Sequence, residues 1–309
     1  MGMTESSLQR LLGENAQLDS ATERYLTLNS VKENQLNDRS QGSSSDYKLP
    51  IICDVDTTCA LIRNNAARIV DVRKEEEYQE GHIPTSVSLP LSQLLSKDSP
   101  EGVVEILENI GVSDTLPIIV YDDTFGAIAA RVAWTFQYVG HANTALLEIT
   151  FSRWKELGLQ IEKQTNAYPK ARHKLDINKD IHADASYVEN AKNHSDKVLL
   201  DSRERLNFLS EHIPGAKNIP YTMLASDGKI LREPDEIRRF IENRGLSQDS
   251  EFITYCGSVG TLSGLAYYAL KQAGIRNVKL YAKSFREWKS LGKPKEEFKD
   301  ANYWDLSAE

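Results

Sequence analysis

The 309-residue sequence is short of cysteine, with only Cys53, Cys59 and Cys256. A set that small and odd builds no disulfide framework, and it shows no Cys/His spacing of the kind that holds structural zinc, so a structural metal site is not expected. Positive charge is not in excess either: 37 Lys and Arg stand against 45 Asp and Glu, a formal net charge of −8. Neutralising a phosphate backbone needs a basic surface, which argues against a nucleic-acid partner. No apolar run approaches the length of a membrane span. The first residues lack the basic-then-apolar order of a secretory signal, and Glu5, Glu14, Asp19 and Glu23 are out of place in an organellar transit peptide. Gly2 and Ser6 fit only the short myristoylation pattern, which arises readily by accident. Together with the scarcity of cysteine, these absences lead to the expectation of a cytoplasmic protein that meets neither membrane nor nucleic acid.

What is present is ordinary for a globular protein: 40% hydrophobic and 27% charged residues, in a length that suits two domains. Residues 1–48 stand apart, dominated by Gln, Asn, Ser and charged side chains and closing on a serine-rich stretch. Such a composition offers no core, and a flexible N-terminal extension is expected there. The rest of the chain repeats itself. Ile69-Val-Asp-Val-Arg73 returns as Leu199-Leu-Asp-Ser-Arg203, an offset of 130 that also carries Tyr78 to Phe208, His82-Ile-Pro84 to His212-Ile-Pro214 and Pro90 to Pro220. A second block, at an offset of 134, carries Ile118-Ile-Val-Tyr121 to Phe252-Ile-Thr-Tyr255, Gly126 to Gly260 and Gly140 to Gly274. It ends by carrying Phe151-Ser-Arg-Trp154 to Phe285-Arg-Glu-Trp288. So long a register means a tandem duplication.

Each copy alternates short β-branched runs, such as residues 68–72 and 117–121, with helical stretches such as 127–138 and 234–243. Pro234 suits a first helical turn and Gly245 a C-terminal stop. That alternation predicts an α/β fold, each copy a mainly parallel sheet flanked by helices. The expected layout is a first domain over 49–163, a polar linker over 164–175 that contains Pro169, and a second domain over 176–300.

One active site in a duplicated fold shows where the copies disagree. Tyr121-Asp122 in the first copy answers to Tyr255-Cys256 in the second. Residues 251–255 read as a buried strand and 262–271 as a helix, with Cys256-Gly-Ser-Val-Gly-Thr261 between them. Backbone N–H groups of such a loop converge on one point, and the helix N-terminus adds positive potential, so both favour a thiolate. Cys256 is therefore the expected nucleophile. Cys53 and Cys59, on an apolar strand and the helix after it, have no activating loop and are expected to pack in the core.

These motifs resemble the tandem rhodanese-like sulfurtransferases, the family of thiosulfate and 3-mercaptopyruvate sulfurtransferases. The carriers are Asp-Val-Arg and Gly-His-Ile-Pro in the first copy, Asp-Ser-Arg, His-Ile-Pro-Gly-Ala and the cysteine loop in the second, and the two Trp motifs, over residues 50–295. The resemblance implies two rhodanese-like domains, the first without a nucleophile, and a sulfurtransferase that needs no metal or organic cofactor. It implies a small-molecule sulfur donor, a persulfide on Cys256, and cyanide or a thiol acceptor such as a thioredoxin-like protein. Cys256 and Ser258 are then the catalytic residues, with Gly257, Val259, Gly260 and Thr261 cradling the donor. Gly257-Ser258 resembles the loop of members that prefer mercaptopyruvate, although Val259-Gly260 inverts their usual order. The arginine that members carry before the aromatic is Asn207 here, which leaves Arg205 as the expected substitute; Arg73 and Arg203 are expected to pair with acids inside their own domains. A family proton relay would join His82 to Ser258, against a plain turn-holding role for both His82 and His212. A protein persulfide relay or sulfur-carrier module is the alternative reading, since a protein donor needs no carboxylate clamp. Phosphatase chemistry is excluded because residues 261–263, Thr-Leu-Ser, offer no arginine to close the loop on a phosphate.

Overall fold

The computed structural model describes residues 48–226 and 228–298. Of the expected N-terminal extension, all but Lys48 lies outside the described residues. The first copy begins with strand β1 (Ile52–Cys53), helix α1 (Val55–Arg63), β2 (Arg68–Asp71), α2 (Glu75–Glu80) and β3 (Val87–Ser88). It continues through α3 (Leu91–Ser96), α4 (Pro100–Asn109), β4 (Ile118–Tyr121), α5 (Ala127–Tyr138), β5 (Thr144–Leu147) and α6 (Phe151–Glu156). Its five strands pair in the order β1-β5-β4-β2-β3, every pair parallel.

A short 3-10 turn at Lys179–Ile181 opens the second copy. There follow α7 (Ala185–Ala191), β6 (Lys197–Asp201), α8 (Arg205–Ser210), β7 (Lys217–Asn218), α9 (Tyr221–Leu224) and α10 (Pro234–Glu242). Strand β8 (Glu251–Tyr255), α11 (Thr261–Gln272), β9 (Val278–Leu280) and α12 (Ser284–Ser290) complete it. Its sheet runs β7-β6-β8-β9, again parallel throughout. The counterpart of β1 survives as a single parallel bridge between His182 and Leu280. Alternation explains the layers: Val198, Leu200 and Phe252 face one apolar cluster, while Leu199, Ile253 and Tyr255 face another with Phe208, Phe285 and Trp288.

The duplication is kept down to single bonds. Arg73 binds the Asp71 carboxylate and the Gly81 carbonyl, and Arg203 binds the Asp201 carboxylate and the Glu211 carbonyl, as expected of both arginines. The Tyr121 hydroxyl accepts the Ile83 N–H at 3.1 Å, and the Tyr255 hydroxyl accepts that of Ile213 at 3.2 Å. The segment between the copies is polar, as read, yet it is strapped to the first copy rather than hung free. The Ala171 N–H donates to the Glu108 carbonyl, the Lys174 N–H to the Asp114 carboxylate and the Tyr168 hydroxyl to the Thr85 carbonyl.

The copies meet along α5 and α11, whose residues share one apolar cluster: Val132 and Trp134 from the first, Leu265 and Tyr268 from the second. A small residue makes the approach close. A Cβ on Gly264 would stand 3.2 Å from the Arg131 backbone nitrogen. This contact sets each copy's strand-to-helix loop against the other copy, which is what builds a site there.

Candidate active site

Cys256 follows directly on β8 and precedes α11, as the sequence predicts, and its side chain is buried. Gly260 turns the chain into the helix with φ +79°, and a Cβ there would lie 3.0 Å from the Ala282 carbonyl oxygen. Only glycine meets both conditions at once. Gly126, at φ +83°, does the same for α5, so the inverted Val259-Gly260 order keeps the loop in register with its duplicate.

The first copy shows what this loop geometry binds. The Asp122 carboxylate accepts the N–H groups of Thr124, Gly126, Ile128 and Ala129 at 2.8 to 3.0 Å, and the Thr124 hydroxyl at 2.9 Å. Burial pushes the pKa of this carboxyl above the usual value, with the N–H donors pulling it back. The first copy thus fills the cradle with its own carboxyl group. At the 134 offset these donors correspond to the N–H groups of Ser258, Gly260, Leu262 and Ser263, and Asp122 itself to Cys256. Replacing Asp122 with Ala would orphan the N–H groups of Thr124, Gly126, Ile128 and Ala129 and should cost about 2–4 kcal/mol, read as a lower denaturation midpoint at unchanged m-value.

Around Cys256 stand groups the sequence reading missed. The Ser284 hydroxyl accepts the Cys256 N–H at 3.1 Å and lies 3.7 Å from its sulfur. Ser284 is fully buried and holds φ +56°, an unusual angle for a non-glycine residue. Arg131 reaches in from the first copy: its Nε donates to the Val259 carbonyl at 2.8 Å and its Nη1 to the Thr135 hydroxyl. Burial pushes this guanidinium down to about 10, opposed by Asp98 and Cys256, so it stays charged at neutral pH. A signal existed, because Arg131 falls where the second copy has the apolar Leu265.

An open cleft of about 410 Å³ adjoins the loop at Ser258 and Val259, without Cys256 in its lining, and is lined from the first copy by Leu95, Asp98 and Arg131. From the second copy come Ser258 and Val259 with Lys283, Arg286 and Glu287. Of the expected loop residues, Ser258 and Val259 lie in this lining, whereas Gly257, Gly260 and Thr261 do not. Arg205 is not in the lining. It starts α8, with its guanidinium over the Phe208 ring at 5.7 Å, and Phe208 is itself stacked on His212. His82 is fully buried; its Nδ1–H donates to the Tyr78 carbonyl at 2.8 Å and its Nε2 faces Glu162 at 3.5 Å. His212 makes the same pair of contacts with Phe208 and Glu296, which fits turn-holding in both copies. Cys53 is buried with its thiol pushed up to about 12, as suits core packing, whereas Cys59 is only half-buried, its thiol also raised by burial.

Comparison with known proteins places this geometry. The profile of the Rhodanese-like domain matches residues 55–157 and again 184–291. The 3-mercaptopyruvate sulfurtransferase of Escherichia coli is 28% identical over 232 residues, covering 69% of this chain and 82% of that protein. The sulfur carrier protein TtuD of Thermus thermophilus is 26% identical over 243 residues, covering 69% and 84%. The crystal structure of SseA from Escherichia coli, a 3-mercaptopyruvate sulfotransferase of the rhodanese fold, superposes with a TM-score of 0.69. It is 26% identical and covers 77% of this chain and 99% of that one. Among the described residues no helix is long and apolar enough to cross a membrane.

Proposed function

The chain belongs to the rhodanese-like domain family, in two tandem copies, and from that premise we propose that it is a sulfurtransferase working through a persulfide on Cys256. The observation that supports this reading is the cradle of N–H groups that Asp122 fills in the first copy, with Cys256 standing at the matching position of the second. The Cys256 thiolate attacks the sulfur of 3-mercaptopyruvate. The carbon–sulfur bond breaks with its electron pair left on carbon, which takes the thiol proton, so pyruvate departs and Cys256 keeps an anionic persulfide. The loop N–H groups of Ser258, Gly260, Leu262 and Ser263 hold that charge as the Thr124-to-Ala129 donors hold the carboxylate of Asp122. A second thiol, such as that of a thioredoxin-like protein, or cyanide then removes the outer sulfur, and storage on the enzyme predicts ping-pong kinetics. Thiosulfate, leaving as sulfite, is the other small donor. Ser258 is the catalytic neighbour at the mouth, and Gly257, Val259, Gly260 and Thr261 shape the bed for the donor.

The test compares pyruvate release from mercaptopyruvate with sulfite release from thiosulfate, each with a thiol acceptor present. Pyruvate release is expected to be the faster. If a folded protein releases neither, transfer between proteins becomes the better account, a reading favoured by the likeness to a named sulfur carrier.

A further inference from the structure

The cysteine loop itself carries no cation, since Gly257, Ser258, Val259, Gly260 and Thr261 are all uncharged. Both small donors considered above are anions, so the positive charge has to come from another segment. The cleft lining contains three cations: Arg131, Lys283 and Arg286. Arg131 is committed to the Val259 carbonyl and the Thr135 hydroxyl. Lys283 reaches Glu287 at 3.2 Å. Arg286 is the one cation of the lining whose head group has no partner among the described residues.

Its root is fixed on the loop. The Phe285 N–H donates to the Cys256 carbonyl at 3.1 Å, and the Arg286 N–H to the Gly257 carbonyl at 2.9 Å. Two consecutive backbone bonds therefore tie the start of α12 to the nucleophile and the residue after it. The duplicate provides an internal control. At the 134 offset Arg286 falls on Ser152, whose N–H and hydroxyl both donate to Asp123, and Lys283 falls on the buried Ile149. Both cations occur only in the copy that has the cysteine. An exposed arginine is ordinarily just solvated. This one is rooted at the loop, lines the cleft and, with Asp98 and Glu287 in the same lining, is still in no ion pair among the described residues.

Building on the sulfurtransferase reading above, we propose that Arg286 is the specificity-determining residue for the donor, its guanidinium taking the donor's carboxylate in a two-bond pairing while Cys256 meets the sulfur. Lys283, held by Glu287, adds to the local potential without contacting the donor. The role expected of Arg205 thus passes to a residue more than 80 positions later in the chain.

The full-length protein tests this. Arg286→Ala should raise the KM for 3-mercaptopyruvate about 10-fold or more, the scale of a lost charge-assisted pairing, with kcat changed little. Arg286→Lys should restore part of the loss, as a point charge replaces the fork. The wild-type KM should rise with ionic strength, and that of Arg286→Ala should rise less steeply, Lys283 and Arg131 keeping part of the potential. Discharge of a preformed persulfide to the neutral thiol 2-mercaptoethanol should proceed at the wild-type rate in the variant. If the wild type loads sulfur on Cys256 and Arg286→Ala shows an unchanged KM, the proposal is overturned while the sulfurtransferase reading stands. If wild-type Cys256 loads no sulfur from either donor, the reading beneath it is overturned as well.

Discussion

Cys256→Ser should abolish sulfur transfer while the protein keeps its fold. The buried side chain sits between the end of β8 and the αL turn at Gly260, so a hydroxyl of nearly the same size fits without disturbing the backbone. It cannot store a sulfur atom, however, because the second half of the reaction needs a persulfide that a thiol or cyanide can open. The expected loss exceeds about 1,000-fold in turnover, the scale on which removing a covalent nucleophile acts. Intact-mass analysis after donor treatment should show one added sulfur on the wild type and none on the variant, with unchanged thermal unfolding. Peptide mapping is the decisive reading. Sulfur found on Cys53 or Cys59, both pushed toward the protonated form by burial, would remove Cys256 from its role.

The sequence disclosed the parts of this site that the duplication exposes. Placing Asp122 on Cys256 singled out the proposed nucleophile, and Glu251–Tyr255 and Ala127–Tyr138 form over the residues read for them. Helix α11 starts one residue before the expected 262 and ends one beyond 271, at positions where local pattern alone is weakest. The hidden part was what reaches the loop from elsewhere. Arg131 arrives across the copy interface and Arg286 through backbone bonds from α12, and no spacing along the chain encodes either approach. Arg205 drew attention because it is near the Asp-Ser-Arg motif in sequence, whereas its side chain lies back on Phe208. The strap after residue 163 was misleading for a related reason. Polar composition marks a linker, but not whether the first copy's carbonyl and carboxylate acceptors, here those of Glu108, Asp114 and Thr85, will hold it down.

The interface between the copies gives the second large effect, because the first copy contributes no nucleophile yet holds the loop of the second. Gly264 lies in the middle of that contact, buried in α11 against the backbone of α5. A Cβ there already meets the Arg131 nitrogen at 3.2 Å and the Ala130 carbonyl carbon at 3.4 Å. These are backbone atoms, which cannot swing aside as a side-chain tip can. Gly264→Ala asks its neighbours to yield by a few tenths of an ångström, and the gain in helix propensity, about 1 kcal/mol, offsets much of that strain. Gly264→Leu places a branched side chain in the same gap and must push α5 from α11. Overpacking of this kind costs about 1–3 kcal/mol, and the displacement draws Arg131 away from the Val259 carbonyl. Since misplacing a catalytic loop by about 1 Å can cost 100-fold in rate, Gly264→Leu should lose about that much transfer activity. Gly264→Ala should keep most of it, and far-UV circular dichroism should show both variants with their helices and strands intact. A Leu variant as active as the wild type would mean that Cys256 works without the first copy's support, leaving Asp122 and its cradle a matter of stability alone.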